Sequence, residues 1–441
     1  MKRQEHLTRR KFLKAVGKGA AVVAAMSASA PSVLSAKSPN ETIGIGCIGI
    51  GVRGGTLVNH ISYLEDAKIV ALCDVYKPHL QKGVERCKNP DVRTYVDYRE
   101  LIADPAVDAV VIATPDCWHA KMLIEAADAK KDIYCEKGWT TTIQEAKDMY
   151  AAVKRNNIVM QLGHQGRQIS ASLQAAQLIK EGVIGPVTLV RTGRLENTAV
   201  GQNFYRWYGW YNDFNRPDPE FVEKNLDWER WLGDRPKIPF NMEHFWHWRC
   251  YWRYGTGMAG DLLSHELDFV QSVLGYGIPD TCVCIGHNNL LHDGRETPDT
   301  WSVIYQYEKQ GCTVTFQGSV NSGQLAQPPE FRGKEALLRF DDIGHNISKF
   351  EVYAEASSKK YGQQIDSGRI KLGKSFLRYN PRKTPPQPDH FQDFLNCVRS
   401  RGKPKCNEDE ALIESATLIM SVIACKENRQ VRWKPVKQEI I

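Results

Sequence analysis

From residue 42 onward, short apolar runs alternate with stretches of helical periodicity. Residues 42–48 are apolar, a glycine-rich turn follows, and a helical stretch runs to about His60. Apolar runs return at 68–73, 107–113 and Asp132–Cys135, each separated from the next by a helix-length segment. Short buried-type strands alternating with helices predict a parallel sheet covered by helices on both faces. Much later, GCTVTFQGSV at 311–320 reads as a strand of a different sheet, and the polar stretch 356–366 reads as a solvated loop.

Length turns this pattern into an architecture. At 441 residues with 42% hydrophobic content, the chain is long enough for two domains with sizeable cores. The formal charge of +7 invites a nucleic-acid reading, but residues 1–36 hold seven Lys/Arg against one Glu. Six of the seven net charges therefore sit in the leader, and no polyanion partner is implied. That leader carries Arg9-Arg10, Phe12-Leu13, a weakly apolar Ala/Val run and then small residues, and it resembles a twin-arginine export signal. Lys18 interrupts the run, which is too short and weakly apolar for a stable membrane span. Export through the twin-arginine machinery to the periplasm is the expectation.

The twelve cysteines suggest no disulfide framework. Cys47, Cys73 and Cys135 lie inside apolar runs, and Cys282 and Cys284 share one face of a strand, as small buried hydrophobes do.

The first apolar run leads directly into Gly49-Ile50-Gly51-Val52-Arg53-Gly54. Gly49 permits a tight turn, Gly51 a close approach of backbone to a pyrophosphate, and Gly54 close helix–strand packing, with Val52 and Arg53 between them on the cofactor loop. Asp74 closes the next strand, placed for both ribose hydroxyls of an adenosine, so NAD is favoured over NADP; Arg53 and Lys77 temper that preference. Ligands of such sheets sit beyond the carboxyl ends of the strands, which assigns Thr114, Pro115, His119 and the Glu136-Lys137 pair to the cofactor side.

Chemistry-bearing residues recur in the second half. Residues 204–254 contain seventeen Phe, Trp or Tyr, suited either to stacking on sugar C–H faces or to an aromatic core or interface. Asp261 and His265 follow a glycine-rich stretch, four residues apart on one helical face. They lack further ligands at recognisable spacing, so no metal site is read there. His164, in QLGHQGR, is a candidate for lining the substrate cleft, and nothing near Cys117 activates it as a nucleophile.

Together GIGVRG, YVDYRELIADPAVDAVVIATPDCWH, YCEKG and GTGMAGDLLSHELD resemble the Gfo/Idh/MocA family, the glucose-fructose oxidoreductase and inositol dehydrogenase group. DHFQDFLNCVRSRGKP near the end is similar to a segment of many members. After the leader at 1–36, the resemblance implies a Rossmann NAD-binding domain at 37–160 and a second α/β domain with a large open, mostly antiparallel sheet at 161–385. It also implies a C-terminal segment at 386–441 that packs back on the first domain, and homo-oligomers formed through the open sheet. It makes Glu136-Lys137 the family's Glu-Lys-Pro motif, with Gly138 in place of proline, and Asp261 and His265 its Asp-x-x-x-His pair facing the nicotinamide.

Oxidation of a secondary alcohol needs a base for the hydroxyl proton and a positive group for the developing alkoxide. His265 and Lys137 can fill these roles in either order, with Asp261 binding a neighbouring hydroxyl or orienting the histidine. The expected substrate is a sugar, glycoside or cyclitol. An exported enzyme must recycle its own tightly held cofactor, either between two carbohydrates or in NAD-dependent glycoside hydrolysis by transient oxidation. A catalytically silent carbohydrate-binding or sensor protein is the alternative from another class.

Overall fold

The computed structural model describes residues 42–196, 216–323, 327–343, 346–384 and 387–441. The leader at 1–36 and the first part of the aromatic-rich stretch lie outside the described residues. Among those described, no helix is long and apolar enough to cross a membrane.

The first apolar runs become β1 (Ile43–Ile48), β2 (Ala67–Cys73), β4 (Ala109–Ile112) and β5 (Asp132–Cys135), joined by β3 (Arg93–Tyr95) and β6 (Met160–Leu162). They form one parallel sheet in the order β3-β2-β1-β4-β5-β6, in which β1 is buried throughout. The chain changes direction at β1, so a crevice opens beyond the carboxyl ends of β1 and β4, where such sheets hold their ligands. β3 and β6 are only three residues each, too short for a periodic signal.

Two helices frame that crevice, α1 (Val52–Ile61) after β1 and α2 (Asp116–Asp128) after β4. Leu57, Val58 and Ile61 of α1 cover one face of the sheet. Trp118, Met122 and Leu123 of α2 belong to the core on the other.

The second domain is built on a ten-stranded sheet of β7 (Val187–Leu195), β8 (Thr281–His287), β9 (Thr300–Tyr307), β10 (Cys312–Ser319), β11 (Glu330–Gly333), β12 (Ala336–Phe340), β13 (Phe350–Ala354), β14 (Leu377–Arg378), β15 (Val431–Lys434) and β16 (Glu439–Ile440). Its order is β14-β13-β12-β11-β7-β10-β9-β8-β15-β16, and every pairing except β7 with β10 is antiparallel. One face packs on α3 (Ser264–Leu274) and other helices. On the opposite face Val283, Ile285 and Ile304 stay exposed. Cys282 and Cys284 point to the buried face, and all twelve cysteines are free.

The chain's end returns to the first domain. In α4 (His390–Ser400), Phe391, Phe394 and Leu395 enter the core beside β1, each burial contributing about 1.5–3 kcal/mol. Arg401 pairs with Asp132 at 2.6 Å, and Arg399 pairs with Asp66. α5 (Glu408–Glu427) then packs on α3 and β8, and β15–β16 extend the second sheet, so the last segment joins both domains. The stretch 356–366 is less solvated than its composition suggests: Ser358 is buried, donating to Glu335, Tyr361 is buried, and Gly362–Asp366 is helical.

Candidate active site

A cavity of about 770 Å³ lies beyond the carboxyl ends of the parallel strands, walled by both domains. Its floor is the glycine loop. Gly49 turns with φ +82°, and a Cβ on Gly54 would lie 1.8 Å from the Gly49 carbonyl oxygen, so strand and helix meet there without room for a side chain. Gly54 itself packs behind the wall, while Gly49, Gly51, Val52 and Arg53 line it. No side chain caps the start of α1, leaving its first N–H groups to an anion.

Asp74 lines the same cavity and is held by the loop, accepting from Ile50 N at 2.7 Å and Tyr76 N at 2.9 Å. A glycine cradle, an uncapped helix start and a carboxylate fixed to the loop are a donor set that fits a dinucleotide. The carboxylate would repel a 2′-phosphate.

Thr114 and Pro115 leave β4 on the cavity side, and Glu136 and Lys137 leave β5 there. Glu136 accepts from Arg53 Nε at 2.7 Å, tying the second loop to the first. Lys137 Nζ reaches the second domain, donating to the Asp261 carbonyl at 2.8 Å and forming an ion pair with the Asp261 carboxylate. Arg249 Nε approaches the same carboxylate at 3.3 Å. Asp261 lies in a π-helical turn, Ala259–Leu263, immediately before α3, which carries His265. Such turns re-aim side chains at functional sites. Lys137, Asp261 and His265 thus line one cavity.

Two predicted histidines lie off the wall as well. His119 is fully buried, with Nδ1 3.0 Å from the Gly138 carbonyl and Nε2 3.0 Å from the Thr114 carbonyl. It sits on α2, one turn in from the cavity, and its ring lies between the two cofactor-side loops instead of on the wall. Burial lowers its pKa, which suits a neutral ring in this position. His164 is likewise buried behind the wall, against His265 and Glu414.

Asp116 and Arg249 also line the cavity, and neither stood out in the sequence. Asp116 opens α2, directly after Thr114-Pro115, and occupies a niche lined by glycines. A Cβ on Gly138 would stand 2.7 Å from its Oδ1, and one on Gly260 3.0 Å from its Oδ2. Burial pushes its carboxyl up to about 7, against the pull of Arg249 and Lys137. The TPD tripeptide was the available signal, although an aspartate at a helix start ordinarily reads as a cap.

Between about pH 4 and 7 the folded chain keeps a proton on Asp116 that the unfolded chain, with a carboxyl near 3.9, has released. The group's contribution to stability therefore falls as pH rises through that window. Asp116→Asn is expected to melt a few degrees above wild type at pH 8 and level with it near pH 4, measured by calorimetry. A constant difference across pH would refute this account.

Arg249 was hidden among aromatics, and its guanidinium lies over Trp248, 4.1 Å from the ring centroid. In the described part of the aromatic stretch, Trp228 and Trp231 stack at 4.8 Å and Trp231 packs on Phe245 and Tyr254, as core residues do. Trp246 and Trp248 line the cavity.

The cradle for a dinucleotide and the Lys–Asp–His cluster opposite it define a nicotinamide-dependent oxidoreductase by class. The family model described as "Oxidoreductase family, NAD-binding Rossmann fold" matches residues 43–164, and that for the "C-terminal alpha/beta domain" of the same family matches 173–335. The chain belongs to the Gfo/Idh/MocA oxidoreductase family.

Among curated relatives it is 28% identical to the 2,7-anhydro-N-acetylneuraminate hydratase of Escherichia coli (strain K12), over 57% of this chain and 54% of that one. It is also 28% identical to the alpha-N-acetylgalactosaminidase of Shewanella oneidensis, over 41% and 44%. The matched stretch spans about half the length of these relatives. In fold the chain is similar to a levoglucosan dehydrogenase solved with NADH and levoglucosan, with a TM-score of 0.64 and 18% identity over 89% of this chain and 99% of that one.

Proposed function

We propose that the protein oxidises and reduces a secondary hydroxyl of a sugar, glycoside or cyclitol, using NAD held at the glycine loop and recycled within the same active site. The observation that carries this reading is the convergence of Lys137, Asp261 and His265 on the cavity that the glycine loop and Asp74 also line. When bound, NAD supplies the acceptor and donor of the substrate's hydride. The ammonium of Lys137, in contact with a carboxylate, is held in its charged form and serves as a donor to the developing alkoxide. That leaves His265 to take the hydroxyl proton, since an imidazole suits exchange near neutral pH. Asp261 holds the lysine in place.

The Shewanella relative supports a second outcome of the same chemistry, in which transient oxidation of a glycoside allows elimination of its aglycone. The leader's Arg9-Arg10 supports export to the periplasm through the twin-arginine route, where an enzyme has no cofactor pool and must keep its own. The exposed Val283, Ile285 and Ile304 on the open sheet support self-association through that face.

The test is to mix purified protein with a panel of glycosides and cyclitols and follow the absorbance of bound nicotinamide. Reduction by one class, abolished in His265→Gln, is the expected result. Release of an aglycone without added NAD selects the hydrolytic outcome. Bound cofactor that no sugar reduces, with no aglycone released, overturns the proposal.

A further inference from the structure

Behind His265 lies a buried cluster that the reaction as proposed does not use. The His164 ring stands edge-on to that of His265, with centroids 5.5 Å apart and planes at 85°. Its Nε2 is 2.5 Å from the Glu414 carboxylate of α5. Asp268, one turn beyond His265 on α3, completes a set whose potential ligand atoms lie within 4.8 Å of one another.

By composition this could be a metal site, but a cation already occupies it. Arg167 Nε donates to Asp268 at 2.7 Å, and its Nη2 reaches Glu410 at 2.9 Å. With His164 protonated, two cations face the buried carboxylates of Asp268 and Glu414 and the less buried Glu410. Burial opposes a charge on His164, but Glu414 and Asp268 outweigh it and raise its pKa; burial raises Glu414 too. The pair holds one proton between them, and it rests on His164.

We propose that His164, gripped by Glu414 and packed edge-on against His265, is a positioning residue that turns the positive end of a buried pair toward that ring and keeps it neutral, as a proton acceptor must be. This rests on the assignment of His265 as the base. Other charges lie around His265. On the cavity side Lys137 and Arg249 meet the Asp261 carboxylate, while Asp116 keeps its proton up to about pH 7. Arg194 stands 3.8 Å from the buried Glu266 beside His265, and behind the ring Arg167 pairs with Asp268 and Glu410. From α4, His390 is held at about 4 by burial and stays neutral, and Cys406, against Asp268, is raised by burial and stays a thiol. Of these groups, His164 is the one whose ring is seen packed against that of His265.

A like charge beside an imidazole disfavours its protonation. Removing that charge, by His164→Gln or Glu414→Gln, should let His265 bind its proton at higher pH. The acidic limb of kcat/KM for alcohol oxidation is expected to move up by about one pH unit, an approximately tenfold loss at pH 6 that is recovered by pH 8.

The same shift should appear without turnover, in NMR titration of carbon-13-labelled histidines in the full chain, with His265 assigned by its loss in His265→Gln. Both variants should move it equally. The proposal is overturned if limb and midpoint stay in place in folded, NADH-binding variants, if activity falls by the same factor at every pH, or if the purified protein holds a metal ion at this cluster. Should His265→Gln keep wild-type hydride transfer, it is the assignment of the base that fails, and the titration still reports on His164 separately.

Discussion

Lys137→Met is expected to slow hydride transfer by about 10²–10⁴-fold while NADH binding changes less than about threefold. Methionine keeps most of the side chain's length and removes only the ammonium. In the proposed reaction the ammonium is the donor to the alkoxide, and the Asp261 carboxylate and carbonyl hold it. Its contribution is larger in the transition state, where negative charge develops, than in the bound alcohol, so kcat falls more than KM rises.

A structural cost accompanies the catalytic one, because Asp261 is buried and loses a partner. Breaking a buried pair costs about 3–5 kcal/mol, and the lower end applies here because Arg249 remains 3.3 Å away. Single-turnover kinetics, a fluorescence titration with NADH and a melting curve separate the two effects. If folded Lys137→Met turns over within tenfold of wild type, the lysine is not the alkoxide's partner.

Much of this site was legible in the sequence because its parts are local. The cofactor loop is six consecutive residues after an apolar run, and the π-helical turn with α3 is marked by its glycines and the Asp-x-x-x-His spacing. Legibility ended where function depends on meetings across the chain. Asp116 was not singled out because its glycine neighbours come from two distant segments, at Gly138 and at Gly255 with Gly260. His164 seemed a cleft residue because its partner Glu414 lies 250 positions later. His119 was assigned to the cofactor from its nearness to Thr114-Pro115, whereas burial directs both ring nitrogens to carbonyls of the loops. The fold shows the same division: short apolar runs spaced by helix-length segments announced β1, β2, β4 and β5, while β15–β16 join the second sheet through contacts no local pattern encodes.

Restoring the family's proline gives the second large effect, opposite to what the motif alone suggests. The absence of proline casts doubt on the lysine's placement when only the motif is considered, yet the structure seats Lys137 firmly on Asp261 with glycine beside it. Gly138 has φ +74°, in the left-handed region, whereas a proline ring fixes φ near −65°. A Cβ there would also stand 2.7 Å from Asp116 Oδ1, a carboxylate buried too deeply to swing aside freely.

Gly138→Pro is therefore expected to destabilise the fold by about 2–4 kcal/mol and to displace Lys137, lowering kcat with it. Gly138→Ala separates the two causes. It carries the same Cβ at a positive φ, which costs about 1–2 kcal/mol as backbone strain alone. The collision adds to that only while the carboxylate is present. In the double variant Gly138→Ala/Asp116→Ala the collision is gone and the strain stays, so a thermodynamic cycle should give a coupling of about 0.5–3 kcal/mol favouring the pair of substitutions. A coupling near zero would mean that glycine is required by backbone geometry alone. A clear coupling would mean that Gly138 and Asp116 belong together, and that this chain left the proline form of the motif to make room for a carboxylate beside its lysine.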